Sequence, residues 1–263
     1  MEQAEDFLAE SIALHTLVSE AGAARMGTPT LFKSWTINEI IRHLHFWNLM
    51  AAFQITDQNR LKDILKTVTA NMRALRGIES KYLDGLSDAP LLAAWCDGFH
   101  DTADQFSAVD PKRRLQWAGP SMSARSSITA RLMETWAHGQ AIYDVLGVHR
   151  INTDRIKNIV ILGVNTFHWT YQARGEKPPG PMPFLQLTAP SGQEWVYGED
   201  NDVERIEGPA EAFCQVVTQT RNIADTPLRV EGAIASDWMS KAQCFAGPPE
   251  TPPSVGARYT KIR

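Results

Sequence analysis

The feature that most constrains this chain is a change of period. From the first residues to about position 175, apolar side chains recur at spacings of three and four, the signature of amphipathic helices. The pattern stops at EKPPGPMP, residues 176–183, which carries four prolines and cannot continue a helix. Beyond it the sequence reads as short strands and short helices. A chain of 263 residues with 43% apolar content has material for one or two cores. The expected fold class is therefore α+β: a helical bundle over residues 1–175, a proline-rich linker, and a small α+β domain over 182–263.

Within the bundle the first helix is expected over Glu5–Glu20, with Phe7, Leu8, Ile12, Leu14 and Leu17 on its apolar face. The second announces its start at Thr36-Ile37-Asn38-Glu39, a capping-box pattern in which the Thr36 hydroxyl and the Glu39 carboxylate satisfy orphan amides reciprocally. It should run to about Ile55, followed by a polar helical piece from Asn59 to Ala74. Further helices are expected from Pro90 to Phe106, from Ser127 to Leu146 with Gly147 as the stop, and from Asp154 to Ala173. In the C-terminal part FLQLTAPSGQEWVYG reads as two strands about a turn, VERIEG as a third and PLRVEG as a fourth. A helix starting at Pro209 and another from Ala233 to Phe245 separate and follow them, and the proline-rich end should lie extended on the surface.

Composition excludes several classes. The formal charge of −4 gives no basic footprint for nucleic acid. No stretch has the uncharged apolar length of a membrane span, and MEQAEDFLAE is acidic where a secretory signal would be basic and then apolar, so a cytoplasmic protein is expected. Three cysteines, Cys96, Cys214 and Cys244, widely spaced and without a CxxC pair, suit buried thiols better than disulfides or a thiolate zinc site.

The chemistry-bearing pattern lies on two helices. In METWAHGQ, Glu134 and His138 stand four apart on one helical stripe and can offer a carboxylate oxygen and an imidazole nitrogen to one ion. A third ligand must come from elsewhere. IIRHLHFWN offers His43 and His45, two residues and about 200° apart, so only one can face the same side. Periodicity does not choose between them.

Three stretches carry a family resemblance. SWTINEIIRHLHFWN resembles the tryptophan-led second helix of the DinB-like superfamily, and specifically of the mycothiol-dependent maleylpyruvate isomerase family. GPSMSARSSITARLMETWAHGQAIYDVLG resembles the fourth helix of the same group, and GPAEAFCQVVTQTRN its small C-terminal domain. The likeness is closest to a metal-binding branch of that family. It implies a DinB-like up-and-down bundle followed by the small domain, and it puts His43, Glu134 and His138 on the family's three metal-ligand positions.

The resemblance further implies a divalent metal, zinc by default, and a low-molecular-weight thiol, mycothiol or glutathione, as cofactor. The thiolate would add to an activated double bond, allow rotation and leave, which makes a cis-trans isomerase of small unsaturated carbonyl or carboxylic acid substrates. The same ligands would equally serve a hydrolase, hydratase, lyase or thiol transferase, or a non-catalytic protein that binds a small ligand. Arg221 falls where the isomerases carry a functional arginine in the small domain. Arg125, ahead of the ligand helix, offers a fixed positive charge for a carboxylate substrate. No nucleic-acid or membrane partner is implied.

Overall fold

The computed structural model describes residues 1–117 and 121–261, and they form two compact units, Met1–Leu146 and a second that begins at Gly147. Gly119 and Pro120, which open the stretch resembling the family's fourth helix, lie outside the described residues, as do the last two of the C-terminal tail.

The first unit contains α1 (Glu2–Ala21), α2 (Ile37–Thr56), α3 (Gln58–Ala70), α4 (Leu75–Tyr82), α5 (Asp88–Ser107) and α6 (Ala124–Leu146). α1 and α2 each pack on both α5 and α6, so these four long helices make a bundle in the cyclic order α1, α5, α2, α6. Its centre holds Phe7, Leu14, Ile40, Leu44, Trp95, Phe99, Leu132 and Trp136, all fully buried. The Thr36–Glu39 capping box forms as expected: the Thr36 hydroxyl accepts from the Glu39 amide at 3.2 Å and the Glu39 carboxylate accepts from the Thr36 amide at 2.8 Å. Gly147, at φ 68°, takes the left-handed conformation that ends α6.

The polar piece expected over 59–74 resolves into α3 and a turn at Met72–Ala74, and α4 follows it. α3 and α4 fold back on the outer face of α2 around Phe46, Met50, Leu61, Leu65, Val68 and Leu83. A two-residue antiparallel ladder, β1 (Arg114–Leu115) with β2 (Met122–Ser123), leads into α6 and was not foreseen because strands this short carry no alternation to read.

The second unit opens with α7 (Lys157–Asn165) and α8 (Phe167–Gln172), which the sequence reading placed in the bundle as one helix. The break falls at Thr166, whose hydroxyl donates back to the Leu162 and Gly163 carbonyls at 2.7 and 3.0 Å. The sheet comprises β3 (Phe184–Thr188), β4 (Glu194–Tyr197), β5 (Arg205–Pro209) and β6 (Arg229–Glu231), in the order β4-β3-β5-β6. β3 pairs antiparallel with β4 and parallel with β5, and β5 pairs antiparallel with β6.

α9 (Ala210–Val217) and α10 (Ala233–Lys241) complete the unit. α7 belongs here because it packs on α9: a Cβ at Gly163 would stand 2.8 Å from the Phe213 ring, so the two helices approach at van der Waals contact. Phe167 of α8 meets Trp238 of α10 edge-on, with ring centroids 5.0 Å apart. The units thus part at Leu146 and Gly147, some thirty residues ahead of the proline-rich stretch. No helix among the described residues is long and apolar enough to cross a membrane.

Candidate metal centre

α2 and α6 run antiparallel, and their facing polar residues pair in sequence along the interface: Ser127 donates to Gln54, Arg131 donates to Asn48, and His43 meets Glu134 and His138. Apolar side chains on the remaining faces bury most of both helices, so much of this strip is desolvated. His138 Nε2 lies 3.1 Å from Glu134 Oε2, and His43 Nε2 lies 4.0 Å from the same oxygen. One ligand atom from each of the three residues falls within 4.8 Å of the others. Ligands at ~2.1 Å around a tetrahedral ion stand ~3.4 Å apart, so the observed spacings bracket what such an ion needs. Glu134 keeps about a quarter of its side chain exposed, which leaves one side of the cluster open.

Electrostatics put two of the three groups, Glu134 and His138, in states a cation can use, and leave His43 holding a proton. Burial pushes the Glu134 carboxyl up, yet His138, His43 and the Arg131 charge hold it well below the usual carboxylate range. Burial lowers His138, against the Glu134 carboxylate beside it, and the net shift is downward, so its imidazole is neutral. Burial also lowers His43, but the Glu79 and Glu134 carboxylates on its two sides raise it to about 9.

Two residues not singled out from the sequence, Glu79 and Arg131, shape this centre, together with Trp35, the tryptophan that leads α2. Glu79 of α4 is 1% exposed, and its Oε1 lies 2.7 Å from His43 Nδ1 and accepts from the Trp47 indole at 3.2 Å. It stands beside Leu75, Ile78 and Tyr82 on the apolar stripe of α4, and an acid on that stripe is the signal that could have found it. Arg131, one turn before Glu134, is buried, with Nε donating to Asn48 Oδ1 at 3.0 Å. Burial brings its pKa down to about 10, against the pull of Glu134 and Glu79.

Trp35 is carried on a tight turn closed by the Thr30 amide donating to the Trp35 carbonyl at 2.8 Å. Lys33 and Ser34, at φ 49° and 58°, sit at its tip in the left-handed region, a strained geometry for residues with side chains. The turn lays Trp35 parallel to the His138 ring at 5.9 Å and Phe32 edge-on to it at 5.0 Å.

Two other candidates of this unit, His45 and Arg125, stand away from the cluster. His45 points to α5, where Gly98 leaves the space: a Cβ there would be 2.9 Å from the His45 ring. Arg125 is exposed in the first turn of α6, nine residues and about 13 Å of helix rise before Glu134, and is not brought to the cluster. Ser123 accepts from the Ser126 amide at 3.1 Å, and Ser121 accepts from the Arg114 guanidinium at 3.0 Å, so both hold the approach to α6. Arg221 lies in the second unit, buried, with Nη1 donating to the Thr220 carbonyl at 3.0 Å. His100 and His168 are exposed.

The fold and this centre define an α+β protein whose helical unit gathers two histidines and a glutamate between antiparallel helices. Comparison with known proteins bears on the fold and the family. Residues 7–143 match the family described as the mycothiol maleylpyruvate isomerase N-terminal domain. The chain is 37% identical over 244 residues to uncharacterised proteins from two strains of Mycobacterium tuberculosis, covering 93% of this chain and 95% of each relative. The crystal structure of the mycothiol-dependent maleylpyruvate isomerase superposes with a TM-score of 0.52 at 14% identity, over 82% of this chain and 87% of that one, as does a histidine-to-alanine mutant of that enzyme. That likeness is one of fold. The chain belongs to the mycothiol-dependent maleylpyruvate isomerase family.

Proposed function

We propose that His43, Glu134 and His138 hold a divalent cation, zinc by default, and that the protein is a thiol-assisted cis-trans isomerase of a small unsaturated carbonyl or carboxylic acid compound. The observation that carries this reading is the convergence of the three ligand atoms within 4.8 Å, with Glu134 partly open to solvent. Two imidazoles and one carboxylate leave a coordination position free, as catalytic zinc sites do and structural ones do not. When bound, the cation would lower the pKa of a thiol or polarise a carbonyl oxygen.

The chain's own residues supply the rest. Glu134 is ionised and His138 neutral, both ready to ligate. His43 must release the proton it holds below about pH 9 before its Nε2 can ligate. Phe32 and Trp35 cover the His138 ring and exclude water from that side. Arg131 contributes a fixed positive charge behind the centre, which favours an anionic substrate or thiolate.

A low-molecular-weight thiol, mycothiol or glutathione, is the co-reactant. Its thiolate forms a C–S bond to one alkene carbon while the π electrons move onto the conjugated carbonyl. Rotation about the resulting single bond follows. The electrons then return, the C–S bond breaks, and the thiolate leaves the trans alkene, so nothing is oxidised or consumed.

The experiment is elemental analysis of protein purified without an affinity tag or added metal, beside His43→Ala, followed by isomerisation assays of unsaturated acids with and without each thiol. About one equivalent of metal, lost in the variant, together with thiol-dependent turnover, is the expected result. Folded protein that cannot be loaded would overturn the metal reading. A hydrated or hydrolysed product formed without thiol would place water at the open position and make the protein a hydratase or hydrolase.

A further inference from the structure

We propose that Glu79 is the positioning residue of this centre: its buried carboxylate holds His43 as the Nδ1–H tautomer, turns Nε2 toward the ion and strengthens that nitrogen as a donor. The inference rests on the metal reading above and extends it to a residue from a third helix, 36 positions from the ligand it serves.

The tautomer follows from the hydrogen bonds. Oε1 of Glu79 meets His43 Nδ1 at 2.7 Å and the Trp47 indole N–H at 3.2 Å. An indole nitrogen can only donate, so the oxygen between the two groups acts as an acceptor. The hydrogen shared with His43 is then on Nδ1, and the nitrogen left for a cation is Nε2, the one that faces Glu134. A metal-bound histidine backed by a carboxylate on its second nitrogen has a fixed ring and a more basic donor atom.

Packing alone does not call for an acid here. Glu79 is the one residue of α4 that is fully enclosed, and its neighbours Leu75, Ile78 and Tyr82 belong to the apolar cluster over α2. A carboxylate buried in such a place carries a desolvation penalty unless its partners offset it, and a leucine would serve the packing better. The partners it has are the ligand His43 and Trp47, one turn further along α2. A single oxygen thus orients both the metal-binding ring and the indole beside it.

The test is cobalt(II) titration of the metal-free full-length protein, read by visible absorption and by competition with a chelating dye, for wild type, Glu79→Gln, Glu79→Leu and Tyr82→Leu. Glu79→Gln keeps the shape and an acceptor but loses the charge, and should bind cobalt about tenfold more weakly with a shifted absorption band. Glu79→Leu should lose up to about a hundredfold. Tyr82→Leu loosens the same helix where Tyr82 meets Phe46 edge-on, without touching His43. It should lower the unfolding midpoint and leave cobalt affinity and spectrum as in wild type.

If Glu79→Leu does not fold, the isosteric Gln variant decides. Wild-type affinity within about twofold and an unshifted band in Glu79→Gln would overturn the role given to Glu79 while leaving the metal centre standing. Wild-type protein that is folded and takes up no cobalt would instead overturn the metal reading, and this inference with it.

Discussion

His45 makes a prediction that separates it from its neighbour His43. His45 is 6% exposed, its Nδ1 is buried without a hydrogen-bond partner among the described residues, and it packs against Gly98 on the side of α2 away from the candidate metal centre. Burial alone lowers its pKa from 6.5 to about 4. The sign follows directly: a base depressed by folding is protonated first in the unfolded chain, so its effect on stability is neutral above pH 6.5 and unfavourable as pH falls toward 4.

With those two values the loss is about 2 kcal/mol at pH 5 and about 3 kcal/mol once both states are protonated. His45→Leu removes the titrating group and the unpartnered nitrogen while keeping an apolar body. Urea unfolding of both proteins followed by circular dichroism, at pH 7 and pH 5 with a chelator present, isolates the effect, because His43 and the carboxylates are common to both. The variant should match wild type at pH 7 to within about 1 kcal/mol. It should gain about 2 kcal/mol on wild type at pH 5. Equal losses in the two proteins between pH 7 and pH 5 would refute the burial argument, and loss of metal uptake in His45→Leu would refute its placement against α5, away from the centre.

Arg131→Met should cost about 3 kcal/mol by stripping the charge from a buried strip and leaving Asn48 Oδ1 without its donor. Adding Asn48→Leu should recover part of that loss, and a double-mutant cycle in urea that shows the two changes as simply additive would count against the pairing. Thr36→Ala removes one half of the capping box and should lower stability by about 1 kcal/mol with metal content unchanged, as measured by thermal unfolding and elemental analysis.

Much of this architecture could be read from the residues. Helices α1, α2, α5 and α6 follow from spacing, α2 from its cap, and the four-stranded sheet from alternation between turn residues, because each of these signals is local. The parting of the two units is not local. EKPPGPMP keeps the helix from continuing past α8, but α7 and α8 go with whatever their apolar faces meet, and Gly163 and Phe167 meet Phe213 and Trp238. No periodicity announces a partner fifty to seventy residues away.

The candidate centre divides in the same manner. Glu134 and His138 are four apart on one helix, so their meeting needed no tertiary knowledge. The choice between His43 and His45 depended on α5: the missing side chain at Gly98 leaves a slot that an imidazole fills, and filling it with His45 turns His43 toward α6. Glu79 and Arg131 escaped because a buried charge is an exception to the hydrophobic pattern, visible only as an acid or a base on an apolar stripe. Yet that exception is informative in itself. Placing Glu79, Arg131, Glu134 and two histidines where apolar residues would pack at lower cost gathers a large desolvation penalty at one spot, and a divalent cation is the species that would turn most of that penalty into binding energy.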